Sequence, residues 1–406
     1  MTSSAGEKTV LPSANSMSEH RFGPNFPRLF AAALLQELSF ALLVHAPGYF
    51  SELGATEGLI GLLYAAGGLL SLLFRPLLGR ILDLTHRRTV LLVAAVGNIA
   101  VLTALAGTSE WGPYLWGLFL AQRTIQIALF TTMLTYGADA IPAERRTQGL
   151  AIFGLSGLIP IAVGGYSGDV IVSEFGFSGL FIFSATVSLA SWFVVWTLPV
   201  LPVRGRQPRR SFWAALVQRN MLPLWFASLM FAIGLEAMFT FTRTFVDDRD
   251  VGTAGLFFAV YGVAAATTRI AGGPFYDQIP HRPLLVGSIS AYGLGLSLLG
   301  SARGMVPFVL AAVVTGIAHG AAFPVLSSEV VNRARIAERG SAMAVFTSIF
   351  DIAVLAGVPV VGFMIDGLDY LAAFSFVGVT LLGGALVYRF WDRAIQTSGV
   401  AIEDAA

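Results

Sequence analysis

The sequence predicts an all-α membrane protein whose twelve transmembrane helices form two six-helix repeats, on three observations. Charged residues are 12% of the 406 and hydrophobic residues 55%, with a mean hydropathy of +0.74; a soluble domain carries roughly 25% charge. Apolar stretches of the roughly 20 residues that a membrane helix needs recur along the whole chain. Arginine falls almost entirely on one side of the layer these stretches define. Together these exclude a soluble globule, a disordered chain and a basic nucleic-acid binder, and the absence of cysteine excludes a disulfide scaffold.

The spans fall at about 26–49, 57–79, 89–107, 113–138, 148–172 and 178–199, then 220–246, 253–274, 284–302, 305–331, 340–364 and 370–390. The runs are continuous rather than alternating, and much longer than the 9–11 residues of a barrel strand. The first span follows a polar stretch without a small-residue cleavage site, so it is expected to stay. Of 25 basic residues, 19 (Lys8, Arg87, Arg88, Arg204 and Arg339 among them) fall on the side of the N-terminus. Only Arg249 and Arg303 fall opposite, and Arg75, Arg123, Arg243 and Arg269 lie within spans. Basic loops stay cytoplasmic, which puts both termini inside a prokaryotic inner membrane. The expected division is a tail 1–25, a first half 26–199, a Pro- and Arg-rich linker 200–219, a second half 220–390 and a tail 391–406.

The halves repeat one another. Arg75-Pro-Leu-Leu-Gly79-Arg-Ile-Leu-Asp83 after span 2 matches Arg269-Ile-Ala-Gly-Gly273-Pro-Phe-Tyr-Asp277 after span 8, at an offset of 194. Glu144-Arg145-Arg146 after span 4 matches Glu338-Arg339-Gly340 after span 10. Parallel six-helix repeats are a transporter architecture. The stretch Gly79 to Arg88 keeps the Gly, Asp83 and the terminal pair Arg87 and Arg88 of a G-x3-D-[RK]-x-G-[RK]-[RK] motif; Leu84 and His86 depart from it. On these residues, and on Arg123-x-x-Gln126 in span 4, the whole chain resembles the major facilitator superfamily. The resemblance implies alternating access by two rocking halves. It also implies a cytoplasmic latch built on Gly79, Asp83, Arg87 and Arg88, with a degenerate copy at Gly273 and Asp277. The plainer reading of these charges is a solvated turn that fixes topology.

Ionisable groups inside a membrane are functional candidates. Glu37 lies near the middle of span 1, Arg123 of span 4, Glu236 of span 7, His319 of span 10 and Asp351 of span 11, while spans 3, 6, 9 and 12 have bare centres. In the family that charged set lies on or beside the cavity-lining helices 1, 4, 7 and 10. Glu37 and Arg123 are the expected pair in the first half, either a tie between helices or a titrating site, with Gln126 one turn from Arg123. Arg243 is either an outer-gate partner of Glu236 or a snorkelling side chain. His319, at the repeat position of Gln126, is either a hydrogen-bonded core group or a proton or substrate contact. Asp351 is a protonation site or a helix–helix partner, and Arg75 and Arg269 are expected to snorkel. Phe40, Phe226, Phe231, Phe239, Phe241 and Phe245 are candidates for an aromatic wall suited to cationic or neutral amphipathic compounds, or simply filler. Gly154, Gly157, Pro160, Gly164 and Gly165 in span 5 partly match the family's exporter pattern.

The expectation is a proton-coupled secondary transporter, an exporter ahead of an importer. Its partners are a small molecule, protons and lipid, with no nucleic acid, no metal and no cofactor, and it acts as a monomer. No G-x4-G-K-[ST] or H-E-x-x-H occurs. A transport-dead receptor or an intramembrane enzyme is the reading from another class.

Overall fold

The computed structural model describes residues 25–141, 153–201, 212–276, 278–335 and 338–403. Long apolar runs become long helices because a backbone in hydrocarbon must satisfy its own hydrogen bonds. In the first half these are α1 (Phe26–Glu52, tightened by a 3-10 turn at Leu43–His45), α2 (Glu57–Leu84), α3 (Arg87–Ala106) and α4 (Pro113–Ala140). A continuous helix Leu155–Trp196 follows, broken at Gly176, whose φ of 67° only glycine adopts readily. Its arms, 155–175 and 177–196, are α5 and α6. A five-residue helix, Phe212–Leu216, precedes the second half. That half holds α7 (Leu222–Arg249), α8 (Ala254–Tyr276), α9 (His281–Ser301), α10 (Met305–Arg333), α11 (Arg339–Gly367) and α12 (Tyr370–Glu403). Ten described helices are long and apolar enough to cross a membrane, α5 and α6 counted as one; α4, with 28 residues, is a further helix of spanning length.

Two boundaries differ from expectation for identifiable reasons. The second helix runs to Leu84, so Gly79 and Asp83 are helical and only Thr85 and His86 make the turn. The last helix runs past 390 because Asp392, fully buried, anchors it: it accepts from Arg282 Nε at 2.6 Å and is paired with Arg333 of α10.

Small residues set the close contacts. Along α1 and α6, Ser39 and Ser184 exchange hydroxyl-to-carbonyl bonds at 2.9 and 2.6 Å, and Ser191 donates to Ala32 O at 2.8 Å. Without a hydrophobic driving force between helices in lipid, such contacts do the joining. Large apolar side chains on the outer faces, among them Val93 of α3, Phe193 of α6, Leu294 of α9 and Val379 of α12, are exposed; these are the helices with bare centres.

The two halves meet along two seams. In the first, α2 lies against α11: a Cβ on Gly61 would sit 2.9 Å from Pro359 Cα, and one on Gly68 3.0 Å from Asp351 O. In the second, α5 lies against α8: a Cβ on Gly262 would meet Ala162 N at 2.8 Å, and one on Gly165 would meet Phe258 Cβ at 2.5 Å. At the end of the bundle remote from the start of α1, which the expected orientation makes the outer end, Asp366 of α11 accepts from the backbone N–H groups of Glu57 and Gly58, both at 2.9 Å. An acid from one half thereby caps a helix of the other, at the positive end of its dipole.

Candidate functional site

The helical repeat fixes which side chains can share a face. On α7, Glu236, Thr240, Arg243 and Asp247 follow at intervals of four, three and four, forming one polar stripe from mid-membrane to the outer end. On α1, Leu38 lines an outer groove with Val163 and Val187, and Ser39 faces α6. Glu37, a third of a turn from Leu38, is left half-buried towards the bundle interior.

At mid-membrane, Arg123 Nη1 donates to Gln126 Oε1 at 3.1 Å, and its guanidinium lies 5.5 Å from the ring centroid of Tyr64 on α2. Gly67 provides the room, since a Cβ there would stand 3.2 Å from Arg123 Cγ. The charges of Arg123, from the first half, and Asp351 both act on Glu236, whose own field reaches Tyr64, Tyr261 and Tyr292. Glu37 and Glu236 have no hydrogen bond or ion pair among the described residues. The expected Glu37–Arg123 pair is therefore not formed: Arg123 turns to Gln126 and Tyr64 and is in electrostatic reach of the opposite half instead.

Asp351 is a helix–helix partner. Arg75 does not snorkel; its Nε lies 2.5 Å from Asp351 Oδ2, and its Nη1 and Nη2 reach Thr347 Oγ1 and O at 3.2 Å each. The pair bridges α2 and α11, where the close approach at Gly68 leaves the guanidinium a partner nearer than the membrane surface. His319 is buried in an aromatic nest, hydrogen-bonded through Nδ1 to the Tyr261 hydroxyl and flanked by Phe231 at 5.6 Å and Phe323 at 6.0 Å. Arg269 lies over Phe323 at 5.6 Å. Of the candidate wall, Phe231, Phe241 and Phe245 are fully buried core, and Phe40 is also buried. Phe226 packs on Trp391, and half-buried Phe239 stacks on Phe258 at 5.3 Å.

Arg243 does not pair with Glu236, which lies two turns deeper on its own helix. It joins an outer cluster in which Nη1 donates to Asp169 Oδ1 of α5 at 3.1 Å and Nε to Asp247 at 3.0 Å. Nη1 also approaches His45 Nδ1 of α1 at 3.4 Å. Asp169 Oδ2 accepts the Gly255 N–H of α8 at 2.6 Å, and His45 Nε2 contacts Gly165 O at 2.9 Å. Four helices from both halves are thus joined at the outer end. Sequence reasoning missed His45, Asp169 and Thr240; Thr240 lies one turn from Glu236 on α7, which was the available signal, whereas His45 and Asp169 meet Arg243 only through tertiary packing, 198 and 74 residues away in sequence. It also missed Gln122, beside Arg123 and buried with neither side-chain atom bonded among the described residues.

At the end of the bundle where α1 begins, Arg87 donates to Leu82 O at 3.3 Å, and Arg88 reaches Trp196 O and stacks 5.7 Å from the Trp196 ring. Asp83 is also engaged. Gly273 lies in the last turn of α8. Asp277, Glu144, Arg145 and Arg146 lie outside the described residues.

The profile of the Major Facilitator Superfamily matches residues 29–253 and 248–405. An uncharacterized MFS-type transporter of Salmonella typhimurium is 26% identical over 406 aligned residues, covering 92% of this chain and 98% of that one. The staphylopine export protein of Staphylococcus aureus is 24% identical, over 75% of this chain and 80% of its own length. Among solved structures, the nucleoside transporter NupG superposes with a TM-score of 0.75 at 17% identity, covering 91% of this chain and 99% of that one. At that identity the likeness concerns the fold alone.

Proposed function

The chain belongs to the Major Facilitator Superfamily as an integral multi-pass membrane transporter, and on that premise we propose that it exports a small amphipathic organic compound in exchange for protons. One observation carries the reading: Glu37 and Glu236 stand at mid-membrane on α1 and α7, half-buried and without an ion-pair partner among the described residues, and Arg123 of the first half acts on Glu236 across the junction. A carboxylate left unpaired in such a place is costly unless it exchanges a proton or meets a cation. Arg123, Gln126 and Tyr64 supply the first half's contacts, and Glu236 with half-buried Phe239 supplies those of the second. His319, inside its aromatic nest, shapes that wall. A ligand with an apolar body and a cationic or polar head fits these groups. Seams closed at the outer end correspond to a site served from the cytoplasm, with both termini on that side.

In this mechanism substrate binding from the cytoplasm displaces the proton on Glu236 or Glu37. The outer contacts then release, the cleft opens outward, and the carboxylates reload from the outer medium. Export is supported by the glycine and proline pattern of α5, which forms the seam with α8, and by the similarity to a protein named for export. Transport is favoured over catalysis or receptor function because the polar groups line a junction between rigid halves.

Everted vesicles energised to an acid interior test this, with a panel of lipophilic and zwitterionic amines and a pH-sensitive dye. Antiport predicts that an accepted amine makes the interior less acid; symport predicts further acidification. In Glu236→Gln the amine-dependent proton movement should disappear while the protein still reaches the membrane. Undiminished proton exchange in both Glu236→Gln and Glu37→Gln would reject the assignment.

A further inference from the structure

The outer cluster contains a histidine that the transport reading leaves unused. His45 is fully buried, and Gly168 leaves the space that its ring fills. A carbonyl can only accept, so the 2.9 Å contact with Gly165 O puts a hydrogen on Nε2. A guanidinium can only donate, so the 3.4 Å approach of Arg243 Nη1 requires a bare Nδ1. His45 is therefore neutral in this closed arrangement. Its Nδ1 also lies 3.5 Å from Asp169 Oδ1, the oxygen Arg243 already occupies at 3.1 Å.

The charged groups facing His45 are few. Asp169 comes from α5, Arg243 and Asp247 from α7; α6 contributes the Phe177 ring, which lies 5.8 Å from the Arg243 guanidinium, and α8 the Gly255 N–H bound to Asp169. Further along the outer rim stand Glu57, held by Tyr370, and Asp366, held by the α2 N-terminus. His45 and Asp169 belong to the first half, Arg243 and Asp247 to the second. With His45 neutral, Asp169 can be matched only by an arginine from across the junction.

We propose that His45 is a proton-binding site that unlocks the outer gate by exchanging one ion pair between the halves for one within each. A proton on Nδ1 removes the acceptor that Arg243 uses and sets a second cation beside the guanidinium. It also gives Asp169 a partner of its own half, and Arg243 falls back on Asp247, already 3.0 Å away. Each half is then neutral at this point without the other, and the strongest contact across the outer end of α7 is gone. The Asp247 carboxylate is 46% exposed, which gives protons a way in from the outer medium. Acid on the outer side therefore opens the gate, in addition to any proton carried by the mid-membrane carboxylates.

This inference rests on the alternating-access reading, and the experiment separates the two. The chain has no cysteine, so Ser109→Cys and Arg303→Cys place spin labels on exposed outer turns of the two halves. Pulsed dipolar spectroscopy in nanodiscs would compare about pH 8 with about pH 5.5, the interval in which histidine changes charge. The open-to-closed ratio is expected to rise on acidification by up to about tenfold per pH unit for a single proton. His45→Gln, which can still donate to Gly165 and accept from Arg243, is expected to stay closed at both pH values. Asp247→Asn, which leaves Arg243 only Asp169 as an acidic partner, should weaken the pH response without abolishing it; an unchanged response in His45→Gln, or none in the parent, would overturn the proposal. Arg243→Gln should open the gate at either pH. If that variant stays closed, the gate reading fails and takes the proposal with it; if it opens while His45→Gln keeps the acid response, only the histidine assignment fails.

Discussion

Arg75 and Asp351 bring opposite charges from two halves of the chain to one point inside the membrane, and neither can leave without stranding the other. Their side chains are 23% and 12% exposed. The pair is thus less desolvated than a fully buried one, whose disruption costs about 3–5 kcal/mol, and more so than a surface pair worth about 1 kcal/mol or less. Asp351→Asn is expected to lower stability by about 2 kcal/mol, between those limits, visible as a lower melting temperature in detergent. Arg75→Leu combined with Asp351→Leu should recover most of the loss, because the stranded charge is gone. Melting that is unchanged in Asp351→Asn would mean that the pair contributes nothing. At this scale the sequence was informative about which residues carry charge in the membrane and poor about whom they meet. Helical spacing relates neighbours three or four apart, as with Arg123 and Gln126; Arg75 and Asp351 are 276 residues apart. The Arg123–Glu37 expectation failed for the same reason. Two mid-membrane residues of one half look adjacent in sequence depth, but the rotation of each helix about its own axis decides whether they touch.

Helices in this chain pack by two kinds of small-residue contact with different duties. The α1–α6 contact lies within one half and is bonded by Ser39, Ser184 and Ser191. The α5–α8 contact lies between halves; there backbone and Cβ atoms approach at Gly165 and Gly262 without a hydroxyl ladder. Along this stretch the seam rests on shape, and its described hydrogen bond lies at the end, from Gly255 N–H to Asp169. The same enlargement should therefore give different outcomes at the two places. Gly262→Val, whose Cβ would stand 2.8 Å from Ala162 N, is expected to wedge α5 from α8 and lengthen the outer label distance with little loss of stability. Ser184→Val should lower the melting temperature and leave that distance unchanged. Equal effects on both readouts would contradict the distinction. Most element boundaries were legible because hydrophobic runs and glycine or proline punctuation set them, including the break that Gly176 makes between α5 and α6. The ends of α2 and α12 were not, since polar residues there remain helical when tertiary partners such as Asp392 hold them.

For the whole molecule the question is how firmly the outer end is locked in the arrangement seen. The lock has separate parts. Asp169 joins Arg243 and Gly255 across α5, α7 and α8, and Asp366 caps α2 from α11. The two acids have no partner in common and lie on different seams, so removing them should act independently on the equilibrium between closed and open. A hydrogen bond to a charged group is worth about 1.5–3 kcal/mol, and solvent at the rim weakens it. Each of Asp169→Ala and Asp366→Ala is thus expected to raise the open-to-closed ratio by about tenfold, which is 1.4 kcal/mol, and the double variant by about a hundredfold. The spin-label pair on the two outer turns reads this directly. A double variant no more open than either single one would mean that the acids act through a shared element, so that the lock is one unit rather than two. Additivity would instead mean that the transporter holds its closed state by several modest contacts. A single proton at one of them, or a substrate binding at the junction, could then shift the balance without having to overcome all of them together.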